Sequence, residues 1–295
     1  MAMKIDFERD LGGVMVRSGA RRAGGPRPKL KETPAQQAGG VRLKTLALPT
    51  EHGGWGITLE PVLLGLLVAP SLAGAGLALA TVGAFLARQP FKIVAGDRRR
   101  GRRFARTPYA ERFTLAYAAA ALAGLVLSVC AASDYTFLLP LAAAAPLAGV
   151  QLWYDAVGRS RGLLPEVAGS LAMGSVACSL ALAGGAGWPL ALGLWALLAA
   201  RFVPAILYVR ARLNELHGKE SARWPSLLAH VAALAAVVAL ASFRFLPWLA
   251  VFVTAVLLAR AAYGFMRRRP STARGVGFGE IAFGALTVVG VAFSM

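Results

Sequence analysis

His52, Gly56 and Glu60 recur at intervals of four residues, a spacing that sets all three along one face of a helix. An imidazole and a carboxylate on a shared face are groups that can take and return a proton. The stretch around them, LPTEHGGWGITLEPVLLGLLVAP from Leu48 to Pro70, is otherwise apolar. Glu60 therefore lies about two helical turns inside an oily segment, where an ionisable side chain is costly unless it is paired or hydrated. Glu51 stands just before the helix, where an acid favours the positive end of the helix dipole. A plain first-turn acid and a satisfied interfacial histidine are the structural alternatives at Glu51 and His52.

Two further stretches carry charge into apolar surroundings. In QLWYDAVGRSRGLLPEVAGSLAMG, Tyr154 and Asp155 end one segment and Arg159 and Arg161 occupy a short turn. Pro165 and Glu166 then begin the next helix, where both residue types suit a first turn. In ARFVPAILYVRARLNELHGKE, the residues Arg201, Ala205, Tyr208 and Arg212 follow helical spacing and face one way. Arg201 lies nine residues before Arg210, roughly 13 Å inside the end of its segment. A guanidinium at that depth needs a partner, and Glu60 is the residue to supply it, either at a working site or in a purely structural bridge. Arginine grips phosphate or carboxylate in a planar fork without a metal. Arg88, Arg159, Arg161, Arg201, Tyr208, Arg210 and Arg212 are thus the candidate anion-binding residues, His52 and Glu60 the candidate catalytic pair, and Glu51 and Glu166 the rim.

These groups must be positioned by membrane helices. Of the 295 residues 57% are hydrophobic and only 16% charged, too apolar for a soluble domain of this length. The apolar residues fall in long blocks, and none shows the alternation of a barrel strand. An all-α polytopic transmembrane bundle is predicted. It has about nine spans, at roughly 55–70, 71–87, 113–132, 135–153, 166–184, 188–209, 226–243, 246–264 and 279–294. Cys130 and Cys178 lie inside apolar blocks and read as small packing residues. Residues 1–48, rich in Gly, Pro and Arg, are expected to be a disordered basic tail, with residues 49–295 as the transmembrane domain.

Of the 32 Lys and Arg residues, all but Arg201, Arg244 and Arg260 fall in the tail or in alternate loops. By the positive-inside rule that side is cytoplasmic. The expected location is a bacterial-type inner (plasma) membrane, with the N-terminus inside and the C-terminus outside. The net charge of +18 then reads as topology and contact with anionic membrane lipids, not nucleic-acid binding.

The series Glu51-His52-Gly53-Gly54-Trp55, Arg88-Gln89-Pro90, Arg159-Ser160-Arg161 with Leu164-Pro165-Glu166, and Tyr208-Val209-Arg210-Ala211-Arg212-Leu213 resembles the YwiC-like family of integral membrane proteins over about residues 47–294. A more distant resemblance is to the UbiA superfamily of intramembrane prenyltransferases. It implies nine helices and a cavity open to the cytoplasm. UbiA enzymes hold Mg²⁺ and a prenyl diphosphate with two Asp-rich motifs. The matching places here offer only Asp97 in the first, and Asn214, Glu215 and Glu220 in the second. Asp97 stands beside Arg98, Arg99 and Arg100 and is expected to pair with them. No metal site and no cofactor are predicted, and Mg²⁺ would enter only if a UbiA-type mechanism were retained. The expected ligand is an isoprenoid or another anionic amphiphile in a polar-rimmed cavity. The resemblance implies a prenyltransferase-like enzyme. The alternative is a non-enzymatic carrier or accessory protein holding an anionic lipid or solute.

Overall fold

Apolar blocks of this length close their backbone hydrogen bonds internally as helices, because hydrocarbon offers no other partner. The computed structural model of the chain describes residues 43–49, 52–266 and 272–295, with His52 described by its backbone alone. The chain divides into two units, Met1–Gly40 and Val41–Met295, and the described residues belong to the second. Glu51, and the tail apart from residues 43–48, lie outside the described residues. Ten helices and no strand occur among those described: α1 (Leu43–Ala47), α2 (His52–Val68), α3 (Leu72–Arg99), α4 (Thr107–Ala131), α5 (Leu138–Ala156), α6 (Leu163–Ala183), α7 (Trp188–Leu216), α8 (Trp224–Ser242), α9 (Trp248–Met266) and α10 (Ala273–Ala292). Seven of these, α3, α4 and α6 to α10, are long and apolar enough to cross a bilayer. Helix α2 is a shorter apolar helix, and α5 occupies the expected fourth span.

Local sequence sets the ends. The Ser71 hydroxyl caps α3 by accepting from Gly74 N at 2.9 Å, and Thr272 does the same for α10 from Gly275 N at 3.1 Å. Proline opens α4, α7 and α8 within the first turn, where its missing N–H is harmless. Helix α3 runs twelve residues beyond the predicted span end, and α7 continues past 209 to Leu216. Much of the sequence read as basic loop is therefore helical overhang. With 28 residues, α3 is about 42 Å long, more than the ~30 Å hydrocarbon core needs.

Helices α6 and α7 form the centre, with Ala177, Cys178, Ala181, Leu194, Leu197 and Leu198 packed against Leu64 of α2 and Val237 of α8. Helix α4 is peripheral: only 11% of its apolar window is buried, against 56% for α6. Leu115 and Leu122 of α4 are largely exposed, as side chains facing lipid are. Helix α4 is held by backbone proximity to α3. A Cβ added at Gly76 would come within 2.6 Å of Ser128 N, and one at Gly124 within 2.5 Å of Ala80 N. Small residues permit that approach where no hydrophobic effect drives helices together.

Candidate functional site

Four ionisable side chains from four helices meet inside the bundle. Arg201 of α7 lies 3.5 Å from the Glu60 carboxylate of α2. It also donates from Nη1 to Glu280 Oε2 of α10 at 3.0 Å and from Nη2 to the Glu280 carbonyl at 2.9 Å. Arg260 of α9 donates both terminal nitrogens to Glu280 Oε1, at 2.5 and 2.6 Å. The expected Glu60–Arg201 contact is thus present, as one edge of a larger network. Glu60 and Arg201 are buried, with exposures of 7% and 4%. Aromatic faces complete the walls: Arg260 sits 4.2 Å from the Tyr208 ring centroid and 4.8 Å from that of Phe283, a favourable setting for a desolvated cation. His230 of α8 is buried within electrostatic range of the network, its Nδ1 2.8 Å from the Ser226 carbonyl.

Backbone shape makes room for these groups. A side chain at Gly284 would collide with the Glu60 carboxylate, and one at Gly264 with the Tyr208 hydroxyl. Pro61 and Pro204 follow closely on Glu60 and Arg201. A helix-interior proline removes one backbone donor and frees the carbonyl four residues earlier.

A second group of charges gathers at one end of the bundle. Arg88 of α3 makes a two-pronged contact with Asp155 of α5, at 2.5 and 3.1 Å. Lys92 approaches the same carboxylate at 3.8 Å, and Gln151 donates to it at 3.2 Å. Asp155 is fully enclosed. On the open side of this group is a small recess lined by Pro49, Gly54, Phe85, Arg88, Gln89 and Lys92.

The other expected residues are spread along that same end. Arg210 donates to Glu166 at 2.7 Å and to the Arg161 carbonyl at 3.2 Å. Arg212 bonds Glu215 at 2.6 Å, and Glu215 also accepts from Arg223 at 2.7 Å. Arg159 and Arg161 are exposed in the α5–α6 turn. Tyr208 belongs with the buried network, not with the rim. Arg88 and Arg201 accordingly sit in two separate networks, not in the walls of one chamber.

Asp97 departs from its expected pairing. It accepts from Arg106 at 2.7 and 3.3 Å and from the Thr107 hydroxyl at 2.8 Å. Neighbouring helical residues point about 100° apart, so Asp97 turns inward while Arg98, Arg99 and Arg100 remain at the surface. The hydrogen bond to Asp97 raises the Arg106 guanidinium further above its ordinary range. Among the described residues no three His, Cys, Asp or Glu side chains converge as a metal site would require.

Sequence reasoning missed Glu280, Arg260 and Phe283. The signal was present: Glu280 and Arg260 are ionisable residues inside apolar helices, the criterion that singled out Glu60 and Arg201. Asp155 was read as the end of a span, and only the fold reveals it as the hub for Arg88 and Lys92.

An all-helical bundle with several spans of membrane length and an interior charge network defines a multi-pass membrane protein. The YwiC-like protein family matches the chain over residues 48–183, which takes in α2 to α6, Arg88 and Asp155. Comparison with curated proteins and with solved structures gives no match.

Proposed function

We propose that this protein holds an anionic amphiphile at the basic end of its bundle, gripping the head with arginine and lysine and not through a metal ion. The observation that carries the reading is the lining of the small recess, where Arg88, Gln89 and Lys92 stand together with Pro49, Gly54 and Phe85. A charged head meets the basic residues there, while its hydrocarbon tail stays in the surrounding bilayer. The distribution of Lys and Arg makes this end cytoplasmic, in a bacterial-type inner membrane. Residues Arg159, Arg161, Arg210 and Arg212 belong to the same end and raise the local concentration of anions.

Holding, as a carrier or accessory protein does, is favoured over group transfer. Glu60, a candidate general base, does not border the recess. A UbiA-like transferase is the second reading. It is supported by the place of His52, which begins α2 two residues before Gly54 of the recess. In that form His52 takes the acceptor's proton and the recess cations stabilise a diphosphate leaving group.

Binding of a short-chain prenyl diphosphate analogue to the detergent-solubilised protein tests the proposal. Affinity is expected to survive EDTA, to weaken with salt, and to fall about tenfold or more in Arg88→Gln or Lys92→Gln. Affinity that vanishes with EDTA and returns with Mg²⁺ would overturn it. Mass spectrometry of co-purified lipid separates the two readings, a polyprenyl species supporting transfer and a bulk phospholipid supporting holding.

A further inference from the structure

The four charges of the interior network are not held equally. Arg201 and Arg260 both hydrogen-bond Glu280, forming a triad across α7, α9 and α10. Two guanidinium groups and one carboxylate leave that triad with one net positive charge. Glu60 neutralises it, but from 3.5 Å and without a hydrogen bond that meets normal geometry. Its Oε2 is buried and has no partner among the described residues. The Nε donors of Arg201 and Arg260 are likewise buried and without acceptors among those residues. Buried polar atoms are nearly always satisfied, and a cluster that is not marks a place for a water, an ion or a ligand. Here the unmet donors belong to the two cations, so an anionic acceptor fits them.

Glu60 is positioned as a removable occupant. Its carboxylate lies where α10 carries no side chain, against Gly284. The charged groups that act on it are Arg201 from α7 and Glu280 from α10. From α3 and α6, which also pack on α2, no described ionisable side chain acts on it. The side chains of Glu280 and Arg260 stay 16% and 14% exposed, against 3% for Arg201, so the triad is more accessible on its α9 and α10 side than at Arg201.

We infer that the Arg201–Glu280–Arg260 triad is an inner anion-binding site, that Glu60 is its resident counter-ion, and that a proton on Glu60 releases the site to a monovalent anionic head such as a carboxylate, sulfonate or phosphate diester. Each anion bound then brings one proton with it: solvent protonates Glu60, the carboxylate loses its hold on Arg201, and the incoming anion takes its place. No covalent bond other than O–H forms or breaks. The site is separate from the Arg88–Lys92 recess and stands whether or not the recess holds an amphiphile.

Butanesulfonate, whose single charge is constant across the neutral range, is the probe. Calorimetric titration of the full-length protein in two buffers of different ionisation enthalpy counts protons per anion. Uptake approaching one proton is expected wherever Glu60 is ionised, with affinity falling up to about tenfold per pH unit as pH rises through that range. Glu60→Gln is expected to bind at least tenfold tighter at the upper end of the range, without pH dependence and without proton uptake. Arg201→Gln is expected to lose binding, and if that variant does not fold, Glu60→Gln against the parent protein decides alone. Absence of saturable binding in both the parent and Glu60→Gln, binding with no proton uptake, or weaker binding by Glu60→Gln would each overturn the inference. The diphosphate titration reads the recess and the proton count reads this site, so their failures are distinguishable.

Discussion

Arg201 touches two carboxylates and one carbonyl on two neighbouring helices. Its loss strands Glu60 and leaves Glu280 to Arg260 alone. Arg201→Gln is expected to cost about 3–5 kcal/mol, the penalty for leaving a buried partner charge uncompensated. Glu60→Gln should cost less, since its contact with Arg201 is long and the triad keeps its hydrogen bonds. The double variant should be milder than the sum by about 1 kcal/mol or more. Thermal unfolding in detergent gives all three values, and strictly additive losses would mean that the 3.5 Å contact carries no energy. Asp155 provides a parallel test at the rim: Asp155→Asn leaves Arg88 and Lys92 beside a neutral amide and should cost on the order of 3 kcal/mol by the same measurement. The Glu60–Arg201 contact was legible in the sequence because each residue is an ionisable group stranded in an apolar run. Glu280 and Arg260 meet the same criterion, but a linear pattern does not tell that all four charges turn toward one another, so the larger network emerged only from the fold.

Hydropathy located the helices α2 to α10 well but misplaced several of their ends. The run RQPFKIVAGDRR reads as loop because charge interrupts the apolar pattern. It remains helical because Arg88 and Lys92 bond sideways to α5 and Asp97 anchors the returning chain through Arg106 and Thr107. Charge set the limit of the apolar run, and lateral pairing set the limit of the helix. The α3–α4 contact was visible only as an abundance of Gly and Ala, without partners. It predicts a sharp positional contrast. Gly124→Leu drives a side chain into the α3 backbone and should destabilise by about 1–3 kcal/mol or more. Gly149→Leu in α5, with open space around its Cα, should change stability little. Equal midpoints for the two in thermal unfolding would mean that α4 is not seated on α3 as described.

Across the whole molecule, aromatic residues mark two levels. Trp153 and Trp224 lie exposed at the basic end, and Trp188, Trp248 and Phe243 at the other, as interfacial belts do. The proposal that the basic end faces the cytoplasm predicts that a reporter active only there works when fused after Arg106 and is silent after Met295. The reverse result at either place would break the odd number of crossings. The two partners of the Glu60–Arg201 contact are also far apart in time. During synthesis at about 5–20 residues per second, Glu60 emerges roughly 140 residues before Arg201, an interval of roughly 7–28 seconds. For that interval α2 carries an acid that no later helix has yet met, and the full triad waits for α10. A nascent chain stopped after α6 should therefore seat α2 on α6 with Glu60 still unpaired, and one extended through α10 should complete the network. The order in which the ribosome delivers charge thus becomes part of how the bundle closes.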